Sequence, residues 1–188
     1  MNAITYRQLT GEMVTPEFLD GFDRYQEVKR CLVKDCDQWV LQDLAFIEDW
    51  NPERKREIAA ELHNCLVQYG LAYGAYCGSL LVGFASLSPI RFGSRSQYMQ
   101  MTMLQVSYEY RGRGIGKQLF RLICDAAAQA GAERLYLSTH TAEESQAFYH
   151  AMGCVDAQEI NHTLADLEPY DRQMEAVLSQ GKAMPDCL

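Results

Sequence analysis

Arg111-Gly-Arg-Gly-Ile-Gly-Lys117 alternates three glycines with cationic residues, and that pattern has the chemistry of a pyrophosphate cradle. Glycine lets a backbone approach a ligand closely, and successive N–H groups ahead of a helix form a site for anionic oxygens. The N–H groups on offer belong to Gly112, Arg113, Gly114, Ile115, Gly116 and Lys117. Arg111, Arg113 and Lys117 add positive charge where it would oppose phosphate. Two common phosphate loops fit poorly. A P-loop needs Ser or Thr after Gly-Lys, where Gln118 stands, and Arg111 occupies the place of its first Gly. A dinucleotide fingerprint needs Gly at position 117, which is Lys. On its own the stretch also suits a glycine-rich strand–helix turn with no ligand.

The surrounding elements must put that turn in place. Met99 to Ser107 is uncharged and partly alternating, so a strand is predicted over 98–107. Apolar residues at Ile115, Leu119, Leu122, Ile123, Ala126, Ala127 and Ala130 predict one face of a helix over 114–130. Leu135 to Ser138 reads as a short strand within 134–138. Thr141-x-x-Glu144 reads as a capping box opening a helix over 142–152, with Gly153 as its stop. Upstream, Leu71–Cys77 and Leu80–Ser86 flank Gly78-Ser79 and predict a β-hairpin.

Arg111, Gly114 and Gly116 make the pattern Arg-x-x-Gly-x-Gly. With Ala147-Phe148-Tyr149-His150-Ala151-Met152-Gly153-Cys154 downstream, it resembles the GNAT superfamily of acyl-CoA-dependent N-acetyltransferases. Leu80 to Ser86 resembles the strand that precedes the cofactor strand of that family. The resemblance covers residues 71–178 well and the first seventy poorly. It implies an α/β (α+β) fold: a mixed, mostly antiparallel sheet flanked by helices, with two central strands splayed to hold acetyl-CoA. It further implies that the pyrophosphate sits on the N–H groups of residues 112–117. Backbone groups of Leu104 and Val106 would pair with the pantetheine arm, Tyr149 would protonate the leaving thiolate, and a neutral amine would attack directly. By itself, Tyr149 also suits an aromatic packed on the sheet.

The chain departs from the family pattern in places. Ala142 stands where an Asn is frequent, so Thr139, His140 or Ser145 would contact the pantetheine instead; Ser145 is the cofactor residue adopted here. No acid lies within 98–106, which leaves Glu48, Asp49, Glu168 and Asp171 as candidate proton acceptors. Cys154 replaces a common Phe and is read as a small packing residue rather than a covalent nucleophile. These departures keep a second reading open, a non-catalytic acyl-CoA-binding domain.

A chain of 188 residues with 48% hydrophobic and 22% charged residues reads as one domain, 1–188. The cofactor core is expected over about 71–178. A helical part is expected over 10–70, with helices at 16–31, 35–49 and from Pro52 to about Tyr69, and a strand at 4–9. Propensity permits a helix at Arg172–Val177, but the resemblance implies that 171–178 is the last strand. The formal net charge of −8 excludes general nucleic-acid binding. The seven cysteines, at 31, 36, 65, 77, 124, 154 and 187, lack CxxC spacing, so reduced thiols, no metal site and a cytoplasmic location are expected. The N-terminus does not read as a signal peptide, and Asn161-His-Thr163 matches a glycosylation acceptor by accident. Cys65 to Ile90 carries no formal charge, but glycines interrupt it repeatedly, so no membrane span is expected.

The acceptor is expected to be a small-molecule or peptide amine, acted on by a monomer or homodimer. Six acids against Arg172 in 155–178 would favour a cationic amine if they wall the acceptor site; they equally suit a solvated acidic surface. Tyr25, Trp39, Phe46 and Trp50 suit either that pocket or the core.

Overall fold

The computed structural model describes residues 3–36 and 38–179. Its elements in chain order are β1 (Ile4–Gln8), β2 (Gln26–Asp35), β3 (Gln38–Glu48), α1 (Pro52–Val67), β4 (Leu71–Cys77), β5 (Leu80–Phe92) and β6 (Tyr98–Val106). There follow α2 (Ile115–Gln129), β7 (Arg134–Thr139), α3 (Glu143–Ala151), β8 (Val155–Asp156), α4 (His162–Ala165) and β9 (Arg172–Val177). Seven strands form one sheet in the order β1-β4-β5-β6-β7-β9-β8, while β2 and β3 pair separately. Every neighbouring pair is antiparallel except β6–β7, which is parallel.

That parallel pair is short. Tyr98–Gln100 of β6 match Arg134–Tyr136 of β7, and beyond Gln100 the two strands part. From Met101 to Val106, β6 has β5 as its only strand partner among the described residues, which leaves one edge without a neighbouring strand along the sheet's centre. This is the splayed pair that the sequence led us to expect.

Apolar burial holds helices on both faces. On one side α2 packs Ile115, Leu119, Phe120, Ile123 and Ala127 against Val82, Ala85, Leu135 and Leu137. Fully burying such side chains contributes about 1.5–3 kcal/mol each. The buried stripe is turned slightly from the expected one: Phe120 and Cys124 are inside, whereas Leu122 and Ala126 are half-buried and Ala130 is exposed. On the other side α1 packs Ile58, Ala59 and Leu62 with Leu9, Leu19, Phe22 and Phe84. Asn51 caps α1 by accepting the Arg54 N–H at 2.8 Å, with Pro52 in the first turn. Cys65 to Ile90 becomes the end of α1 and the β4–β5 hairpin. Among the described residues no helix is long and apolar enough to cross a membrane.

The expectation of helices over 16–31 and 35–49 is overturned. Residues 16–21 are turns, and 26–35 and 38–48 pair as the β2–β3 hairpin. Val28 and Cys31 are both buried although they stand three residues apart, a helical spacing. The register shift between Val28 and Arg30 is what returns both to one face of a strand. They pack with Ala142, ahead of α3.

Propensity alone also permits a helix at Arg172–Val177, yet it is strand β9, buried from Gln173 to Ala176. Its polar residues are satisfied by neighbouring strands. Tyr136 and Ser138 hydroxyls each donate to Gln173 at 2.8 Å, and the Glu175 carboxylate accepts from Tyr98 at 2.5 Å and pairs with Arg134.

Candidate active site

A cleft of about 970 Å³ opens where β6 and β7 part. The open edge of β6, the turn before α2, one face of α3, the start of the β2–β3 hairpin and the loop before β9 line it. Leu104, Val106, Arg111, Gly112, Gly114, Ile115, Gly116, Lys117, Ser145 and Tyr149, all expected from the sequence, meet on its wall. Arg113 does not. Its guanidinium turns away, donating to the Glu109 carbonyl at 2.7 Å and lying 5.0 Å from the centre of the Tyr110 ring. The charge assigned to Arg113 from the sequence is therefore directed outside the cleft.

The edge of β6 follows from strand geometry. Ser107 N–H bonds the Val82 carbonyl at 2.9 Å, so the backbone groups of Ser107 and Gln105 point to β5. Alternation turns those of Leu104 and Val106 to the open side. One is already engaged, because Arg111 Nε donates to the Val106 carbonyl at 3.0 Å. Arg111 Nη2 reaches the Arg24 carbonyl at 3.4 Å. Burial, then the Arg24 charge, lowers the Arg111 pKa. Arg111 thus fastens the loop, in contrast to the free phosphate-facing charge read from the sequence.

The turn itself needs its glycines for different reasons. Gly112 and Gly114 have φ of 72° and 78°, in the left-handed region, and a Cβ on either would meet nothing within 4 Å. Backbone conformation and open approach decide those two positions. A Cβ on Gly116 would stand 3.3 Å from the Phe148 ring, so there the close passage of α2 and α3 decides. The first N–H to bond back into α2 is that of Gln118, to the Gly114 carbonyl at 3.0 Å. Those of Ile115 and Gly116 have no acceptor within the helix and present its positive end.

Helix α3 is positioned from outside. Leu32 N–H bonds the Thr141 carbonyl at 2.8 Å, and Arg30 grips Glu143 through two bonds of 2.8 Å. The expected Thr141–Glu144 capping box does not form: the cap is Ala142, with no side-chain bond, because the hairpin holds this end. Thr139 spends its hydroxyl on the His140 carbonyl at 3.4 Å, and His140 Nδ1 accepts from Ala142 N–H at 3.1 Å. Of the three candidates for the missing Asn contact, Ser145 is the one whose hydroxyl has no partner among the described residues.

Tyr149 packs its ring on Phe148 and Phe120, at centroid distances of 5.1 and 6.2 Å. Its hydroxyl has no hydrogen-bond partner among the described residues. Burial above all, then Cys154 and Asp171, lifts the phenol well above its ordinary pKa, so it stays a donor. Burial also pushes the Cys154 thiol up to about 12, which suits a packing role and not a thiolate nucleophile.

Across the cleft, the acids sort themselves by partner. Asp49 accepts from its neighbour Trp50 N–H at 2.8 Å and lies off the wall. Glu48 pairs with Arg24 at 2.7 Å and lies 3.8 Å from His140 Nε2. In the acid-rich segment, Asp156 pairs with Arg172, Glu159 with Ser94 and Gln97, and Glu175 with Arg134; Asp166 lies off the wall. Only Glu168 and Asp171 of that segment line the cleft. The Asp171 carboxyl is pushed up to about 7 by burial and the charges of Glu168 and Glu48. Of the aromatics, Trp50 lines the cleft, whereas Tyr25 packs on Tyr108, Phe46 on His140, and Trp39 beneath Arg172.

Sequence reasoning missed Arg24, 7% exposed on the cleft wall, which donates to Gln26 and Glu48 and leaves Nε without a partner among the described residues. Reading 16–31 as helix hid it. Among the described residues no three His, Cys, Asp or Glu side chains gather so as to hold a metal ion. Among the described residues no cysteine is joined in a disulfide; Cys187 lies outside them.

A sequence profile of the acetyltransferase (GNAT) family matches residues 34–154. No curated protein sequence matches the chain. Among solved structures, a nourseothricin acetyltransferase is 17% identical with a TM-score of 0.65, over 94% of this chain and 99% of that one. The PaiA N-acetyltransferase of Thermoplasma acidophilum, solved with coenzyme A, is 17% identical with a TM-score of 0.57, over 93% and 99%. The IAA acetyltransferase of Bacillus cereus ATCC 14579 is 19% identical with a TM-score of 0.57, over 94% and 100%.

Proposed function

This chain belongs to the acetyltransferase (GNAT) family, and we propose that it transfers the acetyl group of acetyl-CoA to a primary amine on a small cationic acceptor. One observation carries the reading. The open edge of β6 leads into the glycine turn, with the Tyr149 hydroxyl, unpartnered among the described residues, and the acids Glu168 and Asp171 on the same cleft wall. The pyrophosphate lies on the N–H groups of residues 112–117, where the backbone is open and helix α2 adds its positive end. The pantetheine arm extends the sheet as an added strand on β6, through the backbone groups of Leu104 and the N–H of Val106. Ser145 supplies a hydroxyl from α3.

The amine nitrogen attacks the thioester carbonyl carbon, the C–S bond breaks, and Tyr149 hands its proton to the departing thiolate while the nitrogen gives up a proton that restores the phenol. A phenol held above its ordinary pKa remains protonated until the thiolate forms beside it. Glu168 and Asp171 attract a positively charged acceptor. The similarity in fold to a nourseothricin acetyltransferase makes that compound a fitting member of a test panel.

The test is thiol release from acetyl-CoA with nourseothricin, an aminoglycoside, spermidine, a peptide amine and a neutral amine. Turnover with a cationic member is the expected result. Tight CoA binding without turnover on any amine would turn the assignment to a non-catalytic acyl-CoA-binding domain.

A further inference from the structure

Asp171 combines two properties that no other acid of the cleft shares. It is half-buried, and its carboxylate has neither a cation nor an N–H partner among the described residues. Glu48 is held by Arg24, Glu61 lies 3.5 Å from Arg54, and Glu27, Glu144 and Glu168 are exposed to water. A carboxylate taken from water without a partner is costly, so such a group persists where a ligand or a proton completes it. It lines the same cleft as Tyr149, and its charge is among the causes that raise the phenol's pKa.

We propose that Asp171 accepts the proton of the acceptor's ammonium group; this rests on the acetyl-transfer reading above. The ammonium gives one proton to the Asp171 carboxylate, and the neutral nitrogen then forms its bond to the thioester carbon. As the C–S bond breaks, the nitrogen loses its second proton and the sulfur gains one through the Tyr149 hydroxyl, which donates to sulfur and is restored from nitrogen. Asp171 returns its proton to solvent. One ammonium and one thioester become one amide, one thiol and one released proton.

The groups that set the charge on Asp171 come from several elements. Glu168 faces it from its own loop, Glu48 from the end of β3 with Arg24 and His140 behind, and Tyr149 from α3. Arg172 does not neutralise it, being turned to Asp156, Gln146 and His150. Burial and the two like charges hold the carboxyl near neutrality, where a base is effective at physiological pH.

The test compares wild type with Asp171→Asn on two acceptors: the best cationic amine of the panel, and methoxyamine, which is already neutral at assay pH. For the cationic amine, Asp171→Asn is expected to lower kcat by roughly 10² to 10⁴, the range for a lost general base. Its log kcat/KM should then rise with unit slope through the neutral range, replacing the plateau that wild type reaches above about pH 7. For methoxyamine the loss should stay under about tenfold, and Asp171→Glu should recover part of the activity. An Asn variant that keeps the wild-type pH profile, or loses both acceptors equally, overturns the role of Asp171. If methoxyamine is not a substrate, the profile with the cationic amine decides alone. A wild type that binds CoA and acetylates no amine overturns the acetyl-transfer reading instead.

Discussion

The side chain of Arg111 is bonded to the main chain of Val106, five residues earlier, with Nε 3.0 Å from the carbonyl oxygen. That contact joins the end of the open strand to the glycine turn, and a second bond to the Arg24 carbonyl adds the N-terminal loop. Arg111→Ala is expected to lower stability by about 1–3 kcal/mol, since charged donors leave partly buried carbonyls unmet. A melt and a CoA titration check this together. Unchanged melting with a tenfold weaker Kd would instead make Arg111 a direct phosphate ligand.

Gly114 and Gly116 should fail differently. Gly114→Val forces a branched residue into left-handed backbone and crowds the open approach, so CoA affinity should fall by tenfold or more with the fold retained. Gly116→Ala should act through Phe148, lowering the melting temperature, and Phe148→Leu in the same chain should recover part of it. Additive losses in the double variant would rule out that contact as the cause.

Tyr149→Phe keeps the ring packing and deletes a hydroxyl that has no partner among the described residues, so stability should hold. kcat should fall by roughly 10² to 10⁴ while the Kd for acetyl-CoA is unchanged. A full-rate variant would return Tyr149 to a packing role.

Glu168→Gln should raise KM for a cationic acceptor and leave a neutral amine unaffected. The attraction acts between exposed charges and is screened beyond about 10 Å at 0.1 M salt, so kcat/KM for the cationic acceptor should also fall with salt. Equal salt dependence for both amines would make this acidity solvated surface alone.

Asp171 also leaves a mark on stability. Its folded pKa is raised to about 7, above the unfolded value of about 3.9. Between those values the folded state holds a proton that the unfolded state has lost, so wild-type stability falls as pH rises through this window. Asp171→Asn should therefore match wild type near pH 4 and exceed it above pH 7, measured by urea melts across that range. A constant gap across pH would place the effect elsewhere.

The cofactor half of the site was legible because local rules govern it. An uncharged strand, glycines at fixed offsets and one helical stripe lie adjacent in sequence, and the elements from β6 to α3 ended within a residue of their expected places, whereas β5 runs on to Phe92, six residues past the expected Ser86. The N-terminal hairpin was not legible, because its bulge gives Val28 and Cys31 a helical spacing. The acid-rich segment misled in degree: Asp156, Glu159 and Glu175 are spent on distant partners that no spacing reveals. Asp171 was one of four candidate bases, and its lack of a partner among the described residues is what separates it from Glu48.

The most direct measurement follows isotope-labelled acetyl from acetyl-CoA into product, using the best cationic amine with wild type and Tyr149→Phe side by side. The expected result is label on the acceptor nitrogen, one CoA thiol released per acetyl transferred, and a slowed but chemically identical reaction in the variant. Thiol release that leaves the label in free acetate, or no release at all from a protein that binds acetyl-CoA, would contradict acetyl transfer in this cleft.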